Sequence, residues 1–208
     1  MKNNVELLGY YGSDEIISCS AWTSTSRDLS EEKINRIPKL LKMLADEGHH
    51  TPFEKSYLHF LVTTDIASHI HIIKHRIGVS VNGESARYKE IKEDQYLIPE
   101  DWPKVWQEHL RHYTENGLRL YHDCIKDLTE NYGVDRKRAK ESARFFRGYN
   151  TQITADVSFN WRSFYHFQSL RNKPNAQLEI QEIAQKMLEL VKNIENNPFK
   201  YTIEAFGL

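Results

Sequence analysis

Apolar residues at Ile34, Ile37, Leu41 and Leu44 recur three and four positions apart, the spacing that lines one face of an α-helix. Asp28 and Glu31 stand ahead of them in capping-box order, so a helix is predicted from that box to Gly48, with Pro38 as a kink or restart point. The segment SYLHFLVTT (56–64) is dense in aromatic and β-branched residues and predicts a strand. DIASHIHIIKHR then predicts a short helix capped by Asp65, followed by a long polar loop. Trp106, Leu110, Tyr113, Tyr121, Ile125 and Leu128 fall on one stripe and predict a long helix ending near Gly133, with a shorter helix in DRKRAKESARFFRG. In TQITADVSFN, Gln152, Thr154, Asp156 and Ser158 alternate with Ile153, Ala155, Val157 and Phe159, the period of a strand. Asn160 is placed to cap a helix through WRSFYHFQSLR, and Ile180, Ile183, Met187, Val191 and Ile194 mark one more. Long helical patterns between short strand patterns, with no repeat or linker, predict an α+β fold.

Length and charge narrow this further. A chain of 208 residues fits one domain with a core that needs no disulfide or metal. Its 28 Lys and Arg against 29 Asp and Glu produce no global field toward nucleic acid or an anionic membrane, so basic clusters act locally. Cys19 and Cys124 make no disulfide framework, the N-terminus lacks the apolar centre of a signal peptide, and runs such as LHFLV are too short for a bilayer. A soluble protein of the reducing cytoplasm is expected.

Candidate chemistry concentrates in the polar loop IIKHRIGVSVNGESARYKE (72–90). Lys74, His75 and Arg76 suit the negative end of a helix dipole, which needs no ligand to explain it. Beyond them, Gly78 and Gly83 permit close or left-handed backbone, and Ser80, Asn82, Ser85 and Arg87 add donors, a set that fits a phosphate-bearing ligand. The glycine spacing matches neither a P-loop nor a dinucleotide fingerprint. His71 and His75 are four apart and His49 and His50 adjacent, but there is no HExxH or CxxC, so no metal site is assigned. No GxSxG turn marks a hydrolase.

Three blocks taken together carry a resemblance: HHTPFE (49–54), KHRIGVSVNGESARY (74–88) and NWRSFYHFQSLRNKPNAQLEI (160–180). In order and approximate spacing they resemble the flavin-dependent thymidylate synthases, and with the helices between them they cover most of the chain. The resemblance implies one domain over residues 1–208, an α+β fold with a mostly antiparallel or mixed sheet flanked by long helices, and a homotetramer with shared active sites. It implies reductive methylation of dUMP to dTMP, with FAD as cofactor and NADPH and methylenetetrahydrofolate as cosubstrates.

Carried over by position, FAD would lie against Thr51, Lys74, His75, Arg76, Asn160, Arg162 and His166, with Glu54 orienting a neighbouring cation or histidine. The nucleotide would be held by His71, Lys74, Glu84, Ser85, Arg87, Arg144 and Arg171. Arg171 would favour an electron-rich uracil through its fixed charge, and Ser85 would position or polarise the ring without covalent attack. The chain departs from the family pattern at several places. Lys74 replaces the first Arg of a signature triplet, the gap from Arg76 to Ser80 is one residue longer, and His71 stands where a Gln is frequent. Arg147 and Gly148 replace a Leu-Pro pair, and either Gly83 or Glu84 takes the place of a nucleotide-contacting Glu, with Glu84 favoured on its chemistry. A second reading follows from these departures: a flavin- and nucleotide-binding protein with weakened catalysis. A helical scaffold whose basic loop binds another protein is a third, and it leaves the three blocks unexplained.

Overall fold

Four strands and eight α-helices follow the chain in a mixed order in the computed structural model, which describes residues 2–85 and 95–208. They are β1 (Asn4–Tyr11), α1 (Asp14–Trp22), α2 (Glu31–Asp46), β2 (Tyr57–Asp65), α3 (Ile66–Ile73), β3 (Val79–Gly83), α4 (Lys104–Glu130), α5 (Arg136–Ala143), β4 (Gln152–Asn160), α6 (Trp161–Arg171), α7 (Leu178–Lys192) and α8 (Lys200–Phe206). The sheet order is β1-β2-β4-β3, so β3 is an edge strand. Asn160 N–H donates to the Gly78 carbonyl and Glu84 N–H to that of Thr154; partner numbers fall on one strand as they rise on the other, the mark of an antiparallel pair. β2 and β4 are antiparallel by the same sign, as His59 meets Asp156 and Thr63 meets Thr154. The expected α+β class is what the chain forms.

The chain gathers into two compact units. One comprises Met1–Asn3, Thr63–His71 and Gly83–Ala155, the other Asn4–Val62, Ile72–Asn82 and Asp156–Leu208. In the first, α4 packs with α5 and with a single turn at Arg144–Phe146. In the second, α2 packs on α8 and α1, and α7 on β1 and α6. Leu58, Phe60, Val157 and Phe159 are fully buried on one side of their strands, as the alternation predicts. No helix among the described residues is long and apolar enough to cross a membrane.

Several local expectations change. The box at Asp28 and Glu31 does not form: Ser30, directly before the first helical residue, accepts the Lys33 N–H, while Asp28 pairs with Lys33 Nζ at 2.9 Å. A cap must stand at the half-helical position, and Asp28 is two residues too early for it. Pro38 neither restarts nor ends α2, which runs through it with Ile37, Leu41 and Leu44 buried. On α4 the buried side is Thr114, Leu118, Tyr121 and Ile125, whereas Trp106 and Tyr113 are 60% and 65% exposed. Residues 79–83, expected as loop, are β3, because pairing with β4 supplies hydrogen bonds that the polar sequence does not advertise.

Candidate active site

Helix α6 builds the site by dividing its faces. Phe164 and Phe167 are fully buried, with Phe164 stacked on Phe60 at 5.9 Å and Phe167 against Phe159 at 5.2 Å. Each such ring contributes roughly 1.5–3 kcal/mol by its removal from water. Asn160 starts the helix, its Oδ1 accepting the Ser163 N–H at 2.8 Å. With the aromatic face fixed inward, helical geometry turns Ser163, His166 and Leu170 to another face, where with Arg171 they line a cleft.

The opposite wall is the segment after α3. The Ile77 carbonyl accepts Ser163 Oγ–H at 2.5 Å, and the Gly78 carbonyl accepts Asn160 N–H at 2.9 Å. Gly78 has φ +66°, and a Cβ there would stand 2.2 Å from Asn160 Nδ2 and 2.4 Å from Ser163 Oγ. Only glycine permits that approach with that backbone. The lengthened gap between Arg76 and Ser80 thus holds the residue that docks the basic triplet on α6.

Together they enclose about 280 Å³, lined by Lys74, His75, Arg76, Ile77, Val79, Ser163, His166, Leu170 and Arg171. Five of these nine side chains are cationic or become so on protonation, and no carboxylate is among them. An anion is the occupant such a lining selects. Arg171 is half-buried and donates its Nε–H to His75 Nε2 at 3.2 Å. His75 in turn meets Phe167 edge-on at 5.1 Å and His166 at 5.8 Å.

The remaining sequence-derived candidates are placed as follows. Arg162 donates to the Glu54 carboxylate at 2.6 Å. Thr51 opens the short 3₁₀ helix Thr51–Lys55 and is exposed. Asn160 is 6% exposed and committed to its cap. His71, Glu84, Ser85 and Arg144 belong to the other unit. There, His71 lies on α3 and Arg144 is exposed just after α5. The Glu84 carboxylate accepts the Thr154 N–H at 3.2 Å, while a Cβ on Gly83 would face His69 Nε2 at 3.5 Å. Arg87 lies outside the described residues. Sequence reasoning missed Ser163 and the docking role of Gly78; the Asn-x-x-Ser spacing from Asn160 and the extra loop residue were the available signals.

His69 gives the first unit a pH dependence. Its Nδ1 is buried with no hydrogen-bond partner among the described residues, and burial holds the imidazole below the ordinary value of 6.5. The unfolded chain therefore takes up this proton first, so the stability is fully present above 6.5 and is lost as pH falls through the folded value. Lowering the pH from about 7 to about 5 should lower the thermal midpoint, and His69→Gln should flatten that slope in a melting series across pH. Parallel slopes for the two proteins would reject the assignment.

Known proteins similar to this chain share one family. Residues 6–195 match the profile of the family described as thymidylate synthase complementing protein. A flavin-dependent thymidylate synthase of Pseudothermotoga lettingae is 32% identical, the alignment covering 97% of this chain and 89% of that protein. One from Clostridium tetani is 31% identical over 85% of this chain and 74% of its own length. Among solved structures, the UMP/dUMP methylase PolB from Streptomyces cacaoi, bound with 5-Br dUMP, superposes with a TM-score of 0.75 at 25% identity, covering 99% of this chain and 95% of that one.

Proposed function

The chain belongs to the thymidylate synthase complementing protein family, and from that premise we propose that it is a flavin-dependent enzyme that methylates dUMP to dTMP. The observation that carries the proposal is the cleft between the basic triplet and α6, in which Lys74, His75, Arg76 and Arg171 meet with no carboxylate in the lining among the described residues. The finer reading takes FAD as the cofactor, NADPH as the reductant and methylenetetrahydrofolate as the one-carbon donor, in the cytoplasm.

The donor set fits a flavin dinucleotide. Lys74 and Arg76 are exposed cations suited to pyrophosphate oxygens, and Thr51, Arg162, His75 and His166 offer hydroxyl, guanidinium and imidazole groups for ribose and ring edges, while Asn160, its side chain held in the cap, sets the start of the helix that carries Arg162 and His166. Bound flavin supplies the hydride that turns a transferred methylene into a methyl. The chain's own residues bind and orient. Arg171 holds positive charge at the uracil, favouring an electron-rich ring carbon, and Ser85 positions the base. By the resemblance His71, Glu84, Arg87 and Arg144 also belong to the nucleotide set, the two arginines being the residue type that donates twice to phosphate.

At 280 Å³ the cleft lies below the range of roughly 300–1,000 Å³ typical of sites for drug-sized ligands, so it would enclose only part of a dinucleotide and a nucleotide together. The proposal therefore includes sites completed by neighbouring copies, in the homotetramer that the resemblance implies. The test is to add FAD, desalt, and read the visible spectrum, then follow NADPH oxidation with and without dUMP and assay dTMP after adding methylenetetrahydrofolate. Retained flavin, oxidation stimulated by dUMP and dTMP formation are expected. A protein that stays colourless, or one that binds flavin and dUMP without turnover, would overturn the synthase reading.

A further inference from the structure

The contact between Arg171 and His75 has a direction that assigns His75 a second task. Because Nε–H of Arg171 is the donor, His75 Nε2 must present its lone pair, and the ring is neutral with its proton on Nδ1. A guanidinium held through Nε keeps both terminal amino groups available for a planar, bidentate acceptor. We propose that His75 is a positioning residue for Arg171: it locks the guanidinium at the end of α6 so that its terminal fork faces an anionic or carbonyl-bearing ligand in the cleft. The proposal rests on the dUMP reading for the identity of that ligand.

Three observations support it beyond the single distance. Arg171 is the last residue of α6, where an arginine side chain is otherwise free to swing. The His75 ring is itself held, packed edge-on against the fully buried Phe167, so the anchor is tied to the core. Finally, the lining supplies no carboxylate to orient Arg171 among the described residues, and the acceptor it does meet is the imidazole. A carboxylate here would neutralise the charge that the ligand needs; a neutral imidazole orients the arginine and leaves its charge intact. Protonating His75 removes the acceptor and sets imidazolium against guanidinium, with Lys74 and Arg76 beside it on its own segment and His166 on α6. Acidification should therefore release Arg171.

The test compares His75→Phe, which keeps a ring and removes the acceptor, with His75→Gln, whose amide oxygen reaches the place of Nε2 and does not titrate. Expected is a rise of about tenfold in the dUMP dissociation constant for His75→Phe, as for loss of a hydrogen bond to a charged group, and recovery to within about threefold of the unsubstituted protein in His75→Gln. Affinity should fall on acidification more steeply in the unsubstituted protein than in His75→Gln; the phosphate of dUMP titrates equally in both, so the difference belongs to His75. Flavin content separates this role from direct cofactor binding. If His75→Phe loses flavin but the flavin-loaded fraction binds dUMP normally, or if the two variants bind dUMP equally, the positioning role is overturned.

A ligand-free measurement keeps this outcome apart from failure of the synthase reading. NMR of arginine Nε–H groups should show, beside that of the buried Arg147 Nε–H, a solvent-protected signal assigned by its loss in Arg171→Lys, which disappears in His75→Phe and persists in His75→Gln. Its absence from the unsubstituted protein would overturn the contact whatever the substrate. Its presence in a protein that does not bind dUMP would sustain the positioning role and reject the nucleotide.

Discussion

Arg171→Ala should lower dTMP formation per bound flavin by about a hundredfold or more, the scale of removing one preorganised donor from a developing anion. The reason is chemical. Arg171 carries a charge that does not titrate in the working range, and it sits half-buried in a cleft where competing water is reduced and, among the described residues, no carboxylate of the lining cancels it. Alanine removes the charge and leaves His75 Nε2 without its donor, while the aromatic face of α6 that holds the helix is untouched. Flavin retention should therefore stay near that of the unsubstituted protein, since Lys74 and Arg76 remain. Measuring the dUMP dependence of turnover against flavin content decides the point: lost flavin with normal turnover per remaining flavin would refute the assignment. Arg171→Lys should restore little, because an ammonium has charge but no planar fork.

Gly78→Ala should be the most damaging substitution outside the charged residues. Two costs add. A side chain at φ +66° costs about 1–2 kcal/mol, and the new Cβ would overlap Asn160 Nδ2 and Ser163 Oγ, which cannot both retreat without giving up the cap and the bond to Ile77. A loss of about 2 kcal/mol corresponds to a drop of roughly 4–8 °C in the thermal midpoint for a chain of this size. Displacing the segment by about 1 Å moves Lys74, His75 and Arg76 with it, and misplacement on that scale lowers activity by about a hundredfold. Gly133→Ala separates strain from displacement: Gly133 has φ +64° with nothing within 4 Å of a Cβ, so it should cost stability and leave turnover intact. Equal activities for the two variants would show that the docking of residues 77–78 on α6 does not set the site.

The local chemistry of the chain was legible in order. Alternation marked β4, the 3.6-residue period marked α2, α4 and α7, and Asn160 announced the start of α6, because each of these signals is carried by neighbours in the sequence. β1, α1 and α8 carried no comparable signal: Asp14, in the first turn of α1, accepts from Tyr201 and Thr202, almost two hundred positions away. The basic triplet, the polar loop and the arginine at residue 171 were also visible, with the family they point to. What the sequence determined by itself was therefore the inventory of charges and the faces of the helices that carry them. Only the tertiary structure decided that residues 79–83 extend the sheet, that Gly78 docks on Asn160 and Ser163, and that Arg171 hands its Nε–H to His75. Those outcomes depend on backbone and side-chain groups some seventy to a hundred positions apart meeting within hydrogen-bond distance, and no local period encodes which of a chain's many donors and acceptors will be buried next to one another.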